Sequence, residues 1–176
     1  MRLRSLIHLV EAASALGQSR KILVMGSSAL LGSFPELGEA GGPLETTYDA
    51  DLLPDPINSE IAGFLLESLG ENSLFHEAQG YHLDVLAPEI VEALPAGWQD
   101  RLVPLNSRAD CLDPCDVAAV KVRVGREKDV FVVRTLLELG KIQENALRER
   151  IASLELGERE LFRTSRNLSV ILRRDS

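Results

Sequence analysis

Aromatic residues are scarce: Phe, Trp and Tyr make up 5% of the 176 residues, too few to pave a stacking platform for single-stranded nucleic acid. Cysteine is nearly absent. The two thiols, Cys111 and Cys115, stand in a C-x3-C spacing with no further ligands at a recognisable distance, so neither a zinc site nor a disulfide framework is indicated. A reducing cytoplasmic setting is the default for such a chain. The three histidines, His8, His76 and His82, show no paired ligand spacing. No apolar run approaches the roughly 20 residues that cross a bilayer, which speaks against a membrane protein. The stretch Met1–Val10 is interrupted by Glu11, with no cleavage-site pattern after it. Its apolar positions Leu3, Leu6, Ile7, Val10 and Ala13 predict an amphipathic helix instead of a signal peptide. No Gly-x-Ser-x-Gly elbow and no Walker-type loop is present, which removes the commonest hydrolase and P-loop chemistries.

Charge, by contrast, is plentiful and uneven. The net charge of −8 argues against bulk electrostatic binding of duplex DNA. Residues 1–120 hold 6 Lys+Arg against 18 Asp+Glu, a net of −12, while residues 121–176 hold 13 against 9, a net of +4. Carboxylates in one half and cations in the other suit a site where metal meets phosphate, although solvated helix faces produce the same asymmetry.

Periodicity predicts a helix over 3–16, a buried strand at Ile22–Met25, and a short helix or turn after Gly26-Ser27. Residues 32–46, with Gly32, Pro35, Gly38, Gly41, Gly42 and Pro43, read as a mobile loop. A strand follows at Thr46–Leu53, ended by Pro54 and Pro56, then a helix capped by Ser59 and running to Leu69. Tyr81–Leu86 alternates as a strand, and Arg101–Leu105 reads as an edge strand because of Pro104. Asp113 caps and Pro114 opens a helix to about Val124, with Asp116 favoured by its dipole. Further helices are expected at about 128–139, 142–154 and 158–173. The fold class is therefore α/β (α+β): a small mixed sheet flanked by helices, residues 1–112, followed by a helical C-terminal portion, residues 113–176, expected to complete a cleft.

The chemistry concentrates in Asp49-Ala50-Asp51. On a strand, residues i and i+2 share a face about 6.6 Å apart, so the two carboxylates stand side by side and repel unless a cation relieves them. Asp84 shares a face with His82 on the Tyr81–Leu86 strand, and if that strand neighbours the first, three carboxylates converge. Such crowding calls for hard divalent cations, Mg²⁺ or Mn²⁺, which pair readily with phosphate oxygens. Gly26 and Ser27, between a buried strand and a helix start, can bring backbone N–H groups and a hydroxyl to phosphate. Lys121 breaks an apolar helix face formed by Val117, Val120 and Val124, and Arg126 and Lys128 start the next helix beside Asp129.

The order Gly26-Ser27, Asp49-Ala50-Asp51, then Asp84 resembles the DNA polymerase beta-type nucleotidyltransferase superfamily. The segment from Asp113 through Lys121 to Arg126-Glu127-Lys128-Asp129 is similar to the helical element of AbiEii toxin-like nucleotidyltransferases. The resemblance covers about residues 20–139 and implies a mixed sheet of the nucleotidyltransferase type. It implies that Asp49, Asp51 and Asp84 bind metal and act in catalysis. It further implies that Gly26, Ser27, Lys121, Arg126, Lys128 and Asp129 bind a nucleoside triphosphate. The expected activity moves a nucleoside monophosphate to an acceptor hydroxyl on RNA, a protein or a small molecule. The alternative is a non-catalytic nucleotide-binding or interaction module, such as one component of a toxin–antitoxin pair with a cognate antitoxin-like protein. The stretch from Ser27 to Asp49 is longer than this family usually has and can be read as a lid or as a degenerated pocket.

Overall fold

The computed structural model describes residues 1–173. Two compact units divide the chain: Met1–Ile90 with Arg101–Asp113, and Val91–Asp100 with Pro114 onward.

In the first unit, helix α1 (Leu3–Leu16) ends at Gly17 and buries Leu6, Leu9, Val10 and Ala13, at the spacing that keeps one helical face apolar. Strand β1 (Lys21–Met25) leads through Gly26 into a single helical turn, α2 (Leu30–Ser33). After β2 (Asp49–Asp55) come helices α3 (Ser59–Leu69) and α4 (Leu74–Gln79), strand β3 (His82–Val85), and the short strands β4 (Val103–Pro104) and β5 (Ala109–Cys111). The five strands form one mixed sheet in the order β3-β2-β1-β5-β4. The β1–β2 and β4–β5 pairs are antiparallel, whereas β1–β5 and β2–β3 are parallel. Ile22, Val24, Ala50, Leu52 and Leu83 point to the covered face and are fully buried. Burying a side chain of this size contributes about 1.5–3 kcal/mol, so this row sets the strand register.

Strand β2 starts three residues later than the β-forming run suggests and continues through Pro54. Leu52 accepts from the Leu86 N–H on the β3 side of the strand. Two residues further on, the nitrogen of Pro54 turns to the same side, where β3 has ended at Val85. A missing donor costs nothing at such an unpaired edge.

Residues 32–46 form a folded segment and not the open loop their glycines and prolines suggest. Pro35–Gly38 make a 3-10 turn, Leu37 and Leu44 are buried, and the Leu44 N–H donates to the Leu37 carbonyl at 2.8 Å. The Met1 ammonium donates to the carbonyls of Leu44, Glu45 and Thr47, which ties the run into β2.

In the second unit, α5 (Pro114–Val124), α6 (Glu127–Glu138), α7 (Glu144–Ala152) and α8 (Glu158–Leu172) pack on α5, which buries Val117, Ala118, Ala119 and Val122. Gly125 and Gly140 end α5 and α6 with φ of 72° and 65°, a backbone region that favours glycine. Among the described residues, no helix is long and apolar enough to cross a membrane.

Candidate active site

Asp49 and Asp51 alternate with the buried Ala50 and Leu52, so both acids face away from the core. The parallel pairing of β2 with β3 sets Asp51 opposite Asp84 and Asp49 opposite His82. Residues opposite one another on adjacent strands share a face, and Asp84 therefore joins the acid pair. One carboxylate oxygen from each of Asp49, Asp51 and Asp84 lies within 4.8 Å of the others. Asp49 and Asp51 are half-buried and Asp84 is exposed, so the cluster opens outward.

Three carboxylates this close are mutually repulsive at neutral pH, and a divalent cation is the simple compensation. The donor set fits such an ion: hard oxygens on two adjacent strands, held by a sheet whose other face is a packed core. Among the described residues, this is where three metal-ligating side chains converge.

Gly26 follows β1 with φ of 62°, and Met25 lies opposite Asp51 in the antiparallel register. A Cβ at Gly26 would fall 1.9 Å from an Asp51 carboxylate oxygen, so the bare backbone presses directly on the acid cluster. Ser27 is half-buried, and its carbonyl accepts from Leu30 at 3.2 Å. Helix α2 is four residues long and adds no appreciable macrodipole. The anion-attracting helix start expected after Gly26-Ser27 is therefore reduced to local N–H groups. Next to Asp49, the half-buried His82 packs its ring 4.6 Å from that of His76, and its Nδ1 is buried without a hydrogen-bond partner.

The cationic residues lie in the second unit. Asp129, fully buried on α6, receives Lys121 Nζ at 2.9 Å from α5 and Arg126 Nε at 2.8 Å. Its second oxygen also accepts the Arg126 backbone N–H at 3.3 Å, which satisfies the start of α6. Burial pushes the Asp129 carboxyl up, but the hydrogen bonds from Arg126 and Lys121 outweigh that and hold it below the usual carboxylate range. Lys121 is itself 8% exposed, so this is a buried ion pair and not a solvated surface contact. Lys128 is exposed.

A second buried acid escaped the sequence reading. Asp116, in the first turn of α5 as its dipole favours, is also fully buried, with Arg150 Nε of α7 at 3.1 Å. Nothing in the local sequence marks this pair, because its members are far apart along the chain. Cys111 is buried on β5 against Gly32, and burial pushes its thiol up to about 12, far from the thiolate state that a ligand or nucleophile needs.

A family model described as "Nucleotidyltransferase of unknown function (DUF6036)" matches residues 2–167. No curated protein and no solved structure matches the chain.

Proposed function

The chain belongs to that nucleotidyltransferase family, and from this premise we propose that it transfers a nucleoside monophosphate from a nucleoside triphosphate to an acceptor hydroxyl. The observation that carries the proposal is the convergence of Asp49, Asp51 and Asp84, with oxygens from all three inside 4.8 Å. Mg²⁺ or Mn²⁺ held there would supply charge neutralisation at the α-phosphate and at the attacking and leaving oxygens.

In this reading a bond forms between the acceptor oxygen and the α-phosphorus, and the bond from that phosphorus to the bridging oxygen breaks. Pyrophosphate leaves with that electron pair. Asp84, the exposed acid, would complete the metal site and help take the proton of the acceptor hydroxyl, while Asp49 and Asp51, fixed by β2, would serve as ligands. Gly26 and Ser27 offer backbone N–H groups and a hydroxyl to the phosphates, and the lack of a Cβ at Gly26 keeps that approach open. The resemblance assigns Lys121, Arg126 and Lys128 to triphosphate charge, and within the second unit Asp129 holds Lys121 and Arg126 in place. No covalent enzyme intermediate is required, because positioning and charge stabilisation carry the rate. The AbiEii toxin-like branch and a cognate antitoxin-like partner belong to the same proposal.

Incubation with each α-labelled triphosphate, Mg²⁺ or Mn²⁺ and a cell extract tests this reading. The expected result is label transfer that disappears in Asp49→Ala and Asp51→Ala. Absence of transfer with every nucleotide, together with absence of metal-dependent nucleotide binding, would contradict it.

A further inference from the structure

Helix α8 carries a face that packing within its own unit does not explain. It buries only a narrow stripe, Thr164, Leu168 and Ile171, and Asn167 beside that stripe donates to the Val122 carbonyl at 2.9 Å. At 3.6 residues per turn, Arg159, Arg163 and Arg166 fall within about 60° of arc on the other side. The three span about 10 Å along the helix, and Arg173 lies past the helix end, outside their row. All three are exposed.

Among the described residues, none of the three forms an ion pair, although Arg163 lies close enough to Glu160 to act on its charge. Glu160, an acid on the same helix, is held by Arg123 at 2.8 Å. Like charges a turn apart destabilise a helix, so a purely solvated face would be better served by alternating signs. The row holds arginine without lysine, and a guanidinium fork grips two phosphate oxygens at once. Val170 is the one apolar side chain within the arc, with the exposed Phe162 at its edge, so arginine holds three of the arc's four positions. That suits a periodic polyanion better than a protein interface, whose centre is apolar.

We propose that the Arg159–Arg163–Arg166 row docks the phosphodiester backbone of RNA, which makes RNA the class of acceptor. This deepens the nucleotidyl-transfer reading and rests on it, because an RNA strand ends in the hydroxyl that such a reaction requires.

The test uses the full chain and a 5′-fluorescein single-stranded RNA of mixed sequence, followed by fluorescence anisotropy between 50 and 200 mM salt. The expected affinity falls with salt. The variant R159Q/R163Q/R166Q binds at least tenfold more weakly at the low-salt end. Its log–log salt slope shrinks by about 2, at about 0.7 per lost phosphate contact. Lysine at the same three positions restores most of the affinity, which separates lost charge from a disturbed helix, and far-UV circular dichroism checks the fold of each variant. Asp49→Asn/Asp51→Asn binds RNA as the parent does, and the glutamine variant keeps metal-dependent nucleotide binding. A failure of the active-site reading and a failure of this one are therefore distinguishable. Three results would overturn the proposal: unchanged RNA binding by the glutamine variant, binding insensitive to salt, or displacement of RNA by polyglutamate at equal charge concentration. The last would assign the row to an acidic protein surface.

Discussion

At Gly26, a single hydrogen in place of a side chain lets β1 hand the backbone over to the acid cluster. Gly26→Ala would add a carbon 1.9 Å from an Asp51 oxygen at a φ of 62°, so the Asp51 carboxylate must move. The expected outcome is a loss of about 1–3 kcal/mol of stability together with loss of nucleotidyl transfer, read by thermal melting and by label transfer. Asp129 makes a different kind of demand. Asp129→Ala leaves Lys121 buried without its partner and should cost about 3–5 kcal/mol in denaturant unfolding. Folding lowers the Asp129 pKa below its unfolded value of about 3.9. The pair therefore contributes its full stability above that value and loses it as pH falls through the lower native pKa. The stability gap between the parent and Asp129→Asn should be constant near neutrality and close progressively below about pH 4. The Asp49–Asp51 pair was legible in the sequence because alternation on a strand decides which side chains share a face. The Asp116–Arg150 pair was not, because helix packing and not chain spacing brings those two residues together.

Elements with a strong periodic signal were readable almost to their ends. Helix α1 spans Leu3–Leu16 as its apolar spacing and Gly17 indicate, and Pro114 opens α5 where a proline costs no backbone hydrogen bond. Among the short elements, β4 lies inside the expected edge strand and α2 follows Gly26-Ser27 as expected, but two others were not readable. Strand β5 is three residues long, Ala109–Cys111, and exists because β1 offers it a parallel edge. Helix α4 buries no residue fully, so it left no apolar stripe to detect. The cap of α3 is Asn58, one residue before the expected Ser59: its side-chain oxygen accepts the Ile61 N–H at 2.8 Å. Asn58→Ala should therefore destabilise the chain by about 1 kcal/mol, while Ser59→Ala should have little effect, and a pair of urea melts separates them.

Across the whole chain, charge is sorted: residues 1–120 carry a net of −12 and residues 121–176 a net of +4. Excess negative charge in the first part raises the free energy of gathering three of its carboxylates on one sheet face. Divalent cations should reverse that penalty. In chelator, Asp51→Asn should melt at or above the parent temperature. With metal at one hundred times its dissociation constant, the parent should gain about 2.7 kcal/mol and the variant much less. The sorting of charge was visible in the sequence, but the cluster it serves needed the β2–β3 register to bring Asp84 beside Asp51. Titration of Mn²⁺, followed by electron paramagnetic resonance in the presence of a non-hydrolysable nucleoside triphosphate, measures that cluster's work directly. The account predicts two Mn²⁺ per chain in the parent and a loss of binding in Asp49→Asn/Asp51→Asn. Identical Mn²⁺ stoichiometry and affinity in parent and variant would contradict it.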